Sequence, residues 1–230
     1  MRHIAFALLI AATLAFSPVH AEDAKPFATG KTIDLTAVLK PPPAPDSVQT
    51  KAEIGEVLTI QVTRTPEMEA RAQADVVEDV WRFADVMGPA FKTEALPVFS
   101  AFFDRIVATE GAVVDPAKDS WKRPRPHQAS PLVKPVVKVS NSGAYPSGHT
   151  TVGTLMGIVL SNMVPEKRAE IMDRAWVYGW NRVIGGIHYR SDIDAGRIAG
   201  SVIAARIMEQ QDFQTEFTAA KAELRKVLGL

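Results

Sequence analysis

From Ser47 to the C-terminus, apolar residues recur three and four positions apart, and no stretch of any length alternates apolar with polar. The first spacing puts apolar side chains on one stripe of an α-helix. The second, which a half-buried strand needs, is missing. The expected fold is therefore all-α, a single-domain helical bundle. Ile54, Val57, Leu58 and Val62 mark a first helix. Thr65-Pro66-Glu67 combines a cap, a first-turn proline and an acid, and opens a second whose pattern continues to Gly88-Pro89. Residues 91–121 read as another helix, interrupted near Pro97. Three more are expected at about 147–164, 165–186 and 191–209, then an amphipathic stretch from Asp212 to Leu228. Ser191 with Asp194 three residues on resembles a capping box. Ala195, Gly196, Ala199, Gly200 and Ala204 form a small-residue stripe along which two helices can approach closely, and which leaves room for a homodimer.

The N-terminal part does not follow this pattern. A short basic start, the apolar run Ile4–Phe16 and the small residues Val19 and Ala21 read as a signal peptide, residues 1–21, cut after Ala21. A periplasmic or secreted protein is expected. Residues 22–46 form an extended lead-in. Its prolines, at 41–43 and 45, favour polyproline II geometry, and Asp46 or Ser47 can cap the first helix. The helical domain is assigned to residues 47–230. No later segment has 18 uncharged apolar residues in a row, so no stable membrane insertion is expected once the leader is removed. There is no cysteine, which excludes disulfides, thiol nucleophiles and thiolate metal sites. A formal net charge of 0 gives no whole-chain attraction to nucleic acid.

Three segments concentrate residues with chemistry. "KDSWKRPRP", Lys118 to Pro126, gathers Lys118, Lys122, Arg123 and Arg125. Arginine holds phosphate oxygens in a forked geometry and lysine as a point charge. In "GAYPSGHT", Ser147 can cap a helix beginning at Gly148 or His149. A helix start offers free N–H groups and partial positive charge, and so forms an anion site. Gly148 lets an anion come close to the backbone. In "NRVIGGIHYRSD", Gly185-Gly186 breaks the helix, and Asp192 lies four residues beyond His188. A carboxylate there can meet one ring nitrogen, fix the tautomer and leave the other nitrogen as nucleophile or base. Residues 122–146, rich in proline and without clear period, read as a long irregular segment forming pocket walls.

Together these segments resemble the three-part signature of the type 2 phosphatidic acid phosphatase superfamily. Lys118 is followed after six residues by Arg125-Pro126. Pro146-Ser147-Gly148-His149 is the second part. Arg182, then His188, then Asp192 is the third. Within the superfamily, the "GAYPSGHT" and "HYRSDIDAGR" contexts and the proline-rich lead-in are most similar to bacterial class A non-specific acid phosphatases. The resemblance implies the acid phosphatase and vanadium haloperoxidase fold, and a metal-independent hydrolysis of phosphate monoesters with no cofactor. It implies that His188 attacks phosphorus and forms a phosphohistidine, with Asp192 orienting it. It implies that His149 protonates the leaving oxygen and then activates water. Lys118, Arg125 and Arg182 would bind the phosphoryl oxygens, and Ser147 with Gly148 would complete the cradle. Broad specificity, with transfer to alcohols as a side activity, is part of the same expectation. One departure is Asn181, where the family usually has serine. His127, just after the first part, is expected either at the rim of the site or just behind the residues that line it. The other readings are a vanadium-dependent haloperoxidase, a lipid or isoprenyl phosphate phosphatase, and a non-catalytic phosphate-binding protein.

Overall fold

The computed structural model describes residues 24–230; the expected signal peptide lies outside them. Among the described residues there are helices and no strand. In chain order they are α1 (Leu35–Val38), α2 (Val48–Thr63), α3 (Pro66–Ala74), α4 (Ala84–Met87), α5 (Pro97–Trp121), α6 (Pro126–Ala129), α7 (Gly148–Met163), α8 (Arg168–Ile184), α9 (Arg190–Ile207) and α10 (Gln211–Leu228). No helix of the described residues is long and apolar enough to cross a membrane.

The bundle is arranged around α7. This helix is built mainly of apolar and small side chains spread round its circumference, so most of its surface has to be covered. Nearly all its residues are buried, packed by α5, α8, α9 and α10. Helix α9 reaches it through the small-residue stripe. A Cβ built on Gly200 would lie 2.6 Å from the Thr151 carbonyl oxygen, and one on Gly196 2.8 Å from that of Ser147. The stripe is therefore used inside the chain, against α7, and not on a second copy. Between α5 and α10 the core is aromatic: Phe102 meets Phe213 and Phe27 edge-on, with ring centres 5.2 and 5.8 Å apart.

The lead-in is more than an extended strap. Phe27, Ile33, Leu35 and Leu39 belong to the main core. After α1 the chain is extended at Leu39 and carries no helix at residues 40–44, and Ser47 caps α2 by accepting from Thr50 N at 3.1 Å. The lead-in also answers a problem in α5. Pro116, inside that helix, has no N–H for the Ala112 carbonyl. Gly30 N donates to that oxygen instead, at 2.9 Å.

Two expectations are corrected. The helix expected from Thr65 to Gly88 stops after Ala74, and residues 75–79 leave helical geometry before a 3-10 turn at Val80–Phe83. Val76 and Val77 are weak helix formers. More decisively, Asp75 is fully buried and drawn off by partners on α8, as described below. The start of α9 is also not capped by Ser191 and Asp194. It begins at Arg190, and Asp192 accepts from Tyr189 N at 2.9 Å. Asp194 is exposed and pairs with Arg197. Pro97 does not interrupt a helix; it opens α5.

The α7–α9 contact gives a test. Alanine is a better helix former than glycine by roughly 1 kcal/mol, yet Gly200→Ala is expected to destabilise the protein by about 1–3 kcal/mol through overpacking against α7. Denaturant unfolding measures this, and an increase in stability would contradict the packing described.

Candidate active site

At one end of α7 a cleft of about 460 Å³ opens, lined by Lys118, Arg125, Gly148, His149, Arg182 and His188, with Val76, Glu78, Lys138, Val139, Ser140, Ser142 and Ile187. Six of the eight site residues expected from the sequence thus line one wall. Asp192 stands directly behind it, and Ser147 lies below the helix start.

Each is placed by a local device. Lys118 sits in the last turn of α5, which ends at Lys122 in left-handed geometry, φ 48°. That turn sends the chain back so that Arg123 and Arg125 reach the same end of the bundle. Helix α8 carries Arg182 and stops at Gly185; Gly186, at φ 77°, turns the chain so that His188 faces the cleft. Ser147 N donates to the Asp192 carbonyl at 3.1 Å, which joins the start of α7 to the start of α9. The Ser147 hydroxyl caps α7, accepting from Thr150 N at 3.3 Å and Thr150 Oγ1 at 3.0 Å. It does not line the cleft. Neither does His127.

His188 is buried, with Nδ1 3.1 Å from Asp192 Oδ2. An ionised Asp192 makes Nδ1 the protonated nitrogen and leaves a lone pair on Nε2. Arg125 donates to that lone pair across 3.0 Å. Burial, then the charges of Arg125, Lys118, Arg182 and His149, hold the His188 imidazole well below its usual range, so it is neutral. Asp192 is pushed up to about 7 by burial, against the pull of Arg123, whose NH1 donates to Oδ1 at 2.6 Å. Arg123 is itself fixed by Glu53 of α2 at 3.0 Å.

The cations are held with capacity left over. Arg125 donates to the Ser142, Gly143 and Ile187 carbonyls and to Ser142 Oγ, with no carboxylate among these partners. Arg182 makes one long bond, 3.5 Å, to the Asp75 carbonyl, and its Nε is buried without a partner. Burial lowers it to about 10, so it is still charged near neutrality. Buried guanidinium donors without full pairing are costly in water-poor surroundings and favour an incoming anion. The free N–H groups at the start of α7 act in the same sense.

Four acids escaped the sequence reading: Asp75, Glu78, Glu110 and Glu53. Asp75 receives Arg174 twice (2.6 and 3.0 Å), Arg82 at 3.0 Å and Asn181 Nδ2 at 2.7 Å. Asn181 therefore has a definite task, holding the residue 75 turn against α8. Glu78 Oε1 lies 2.6 Å from His149 Nδ1, and the Val76 carbonyl is 2.8 Å from His149 Nε2. Burial raises Glu78, but the bond from His149 and the charges of His149, Lys118 and Arg182 outweigh it and hold Glu78 below its ordinary range. Glu110 lies under Gly148, its Oε1 2.7 Å from where a Gly148 Cβ would be. Burial and the Glu78 charge lift it to about 8. Nothing local marks these residues; Glu53 and Glu110 look like ordinary helix acids.

Residues 105–216 match the model of the PAP2 superfamily. The chain is 29% identical over 211 residues to a non-specific acid phosphatase of Providencia stuartii, covering 86% of this chain and 83% of that protein. It is 34% identical to a non-specific acid phosphatase of Salmonella typhimurium, covering 68% of this chain and 65% of the relative. Against an acid phosphatase of Zymomonas mobilis it is 31% identical, over 66% of this chain and 58% of the relative. The chain thus spans less than two thirds of the length of the last two. Among solved structures, a transmembrane PAP2-type phosphatidylglycerolphosphate phosphatase from Bacillus subtilis superposes with a TM-score of 0.50 at 16% identity, covering 76% of this chain and 88% of that one. That likeness concerns the fold.

The buried acids have a consequence for stability. Folded Glu110 (about 8, from 4.5) and Asp192 (about 7, from 3.8) retain protons that the unfolded chain releases. The unfolded state then binds fewer protons, and their contribution falls as pH rises through this range. His188, lowered well below 6.5, acts oppositely but only below that value. Between about pH 6.5 and 8 the carboxyls act without that opposition. Melting temperature is expected to fall over that interval, and to fall less in Glu110→Gln. An identical decline in both proteins would contradict the assignment.

Proposed function

The chain belongs to the PAP2 superfamily and is a phosphoric monoester hydrolase of the acid phosphatase kind, and from that premise we propose how and on what it acts. It hydrolyses phosphate monoesters of varied structure through a phosphohistidine at His188, without a metal ion. The observation that carries this reading is the His188 ring itself: neutral, with Asp192 on Nδ1 and Arg125 on Nε2, in a cleft that Lys118 and Arg182 also line.

In the first step Lys118, Arg125, Arg182 and the N–H groups at the start of α7 hold the phosphoryl oxygens. Arg125 passes from the Nε2 lone pair to a phosphoryl oxygen, which frees the lone pair. Nε2 attacks phosphorus in line, a P–N bond forms and the ester P–O bond breaks. His149 gives a proton to the departing oxygen. Asp192 stabilises the charge that appears on His188. In the second step His149 takes a proton from water as its oxygen attacks phosphorus, and the P–N bond returns its electrons to Nε2. Phosphoryl transfer is governed by positioning and by charge on the equatorial oxygens, which the three cations supply where other enzymes use magnesium. An alcohol in place of water gives phosphotransfer. The expected leader peptide puts this activity in the periplasm or outside the cell. The open cleft, walled by the 138–142 segment and Val76, suits a broad range of leaving groups.

His188→Ala is expected to lose turnover by roughly 10⁴-fold or more on nucleotides, sugar phosphates and aryl phosphates alike, as loss of a nucleophile does. Wild-type activity is expected to survive EDTA. Hydrolysis by the variant near the wild-type rate, or a metal-reversible loss with EDTA, would contradict the mechanism.

A further inference from the structure

The segment that breaks away after α3 has an unusual relation to the cleft. Four consecutive residues each present an oxygen to a side chain of α7 or α8. Asp75 O takes Arg182 at 3.5 Å, Val76 O takes His149 Nε2 at 2.8 Å, Val77 O takes the Tyr178 hydroxyl at 2.5 Å, and Glu78 Oε1 meets His149 Nδ1 at 2.6 Å. The His149 ring also lies nearly parallel to Tyr178, with centres 6.0 Å apart.

A carbonyl oxygen can only accept, so His149 Nε2 carries a proton. The Nδ1 contact places a second proton between the imidazole and Glu78. Both ring nitrogens then have acceptors, which is the arrangement of an imidazolium beside a carboxylate. Glu78 and His149 both line the cleft.

We propose that Glu78 is the positioning residue of the proton donor: it holds His149 doubly protonated at the cleft wall, so that the site contains two carboxylate–histidine dyads, Asp192–His188 for the nucleophile and Glu78–His149 for the acid. This rests on the reading of His149 given above. In turnover the leaving oxygen replaces the Val76 carbonyl at Nε2. The Nε2 proton passes to that oxygen as the P–O bond breaks, while Nδ1–H stays with Glu78 and the ring becomes neutral. The dyads differ in accessibility: Asp192 is sealed in the core, whereas Glu78 is about one-third exposed.

The test is a leaving-group comparison. An alkyl phosphate needs its departing oxygen protonated; 4-nitrophenyl phosphate needs this far less. In Glu78→Ala, kcat/KM on the alkyl ester is expected to fall about 10- to 100-fold, part of the ~10²–10⁴ that general acid catalysis contributes, with less than about a 3-fold fall on the aryl ester. Glu78→Gln, which keeps the shape and loses the charge, is expected to show the same pattern more weakly. His149→Ala should show it most strongly. An equal effect on both esters in both Glu78 variants, with the pattern intact in His149→Ala, would overturn the role of Glu78 alone. Its absence from His149→Ala as well would overturn the acid assignment, and the Glu78 proposal with it.

Discussion

One buried carboxylate, Asp192, ties the site together. Its Oδ2 accepts from the His188 ring and from Tyr189 N, its Oδ1 from Arg123, and its backbone carbonyl from Ser147 N. Through these bonds the start of α9, the start of α7, the loop after α5 and, by way of Glu53, helix α2 are brought to one point. A carboxylate so buried is tolerable only when its oxygens are filled. The demand for those partners therefore fixes the relative placement of three sequence-distant segments. The close α7–α9 packing at Gly196 and Gly200 adds a steric constraint in the same place.

The electrostatics follow from burial. Arg125 and Arg182 are buried at the cleft wall with backbone carbonyls for company, while Asp192 is set back behind His188, Asp75 lies beneath Arg174, and Glu78, in the cleft lining, is bonded to His149. The cations therefore face the cleft without being neutralised at close range. Burial first, and these cations after it, hold the His188 ring well below its ordinary range. In the proposed mechanism, the charge that holds the phosphoryl oxygens thus also helps keep the attacking imidazole neutral.

Much of this was legible in the sequence, for physical reasons. Helical periodicity, the absence of strand alternation, Ser147 as a cap and the Gly185-Gly186 break are local signals, and the helices at 148–163, 168–184 and 190–207 lie close to the expected spans. That Lys118, Arg125, His149, Arg182 and His188 share one cleft, with Asp192 behind it, was implied by the resemblance of the three motifs and not by any local signal. Illegible were features decided by distant partners. The helix break after Ala74 depends on Arg174, Arg82 and Asn181 capturing Asp75, and within residues 65–88 only the weak helix formers Val76 and Val77 hint at it. Glu78 acquires meaning only when that break sets it beside His149. Asp192 as the acid that caps α9 was masked by Ser191 and Asp194, whose spacing fits a capping box equally well.

The central claim is that phosphorus is attacked twice, first by His188 Nε2 and then by water or an alcohol. Each in-line displacement inverts configuration, so two give net retention. The most direct measurement is transfer of the phosphoryl group from an isotopically chiral [¹⁶O,¹⁷O,¹⁸O] phosphate monoester to an acceptor alcohol, with the product's configuration read by ³¹P NMR. Retention is the predicted result. Inversion would mean a single direct displacement and no phosphohistidine.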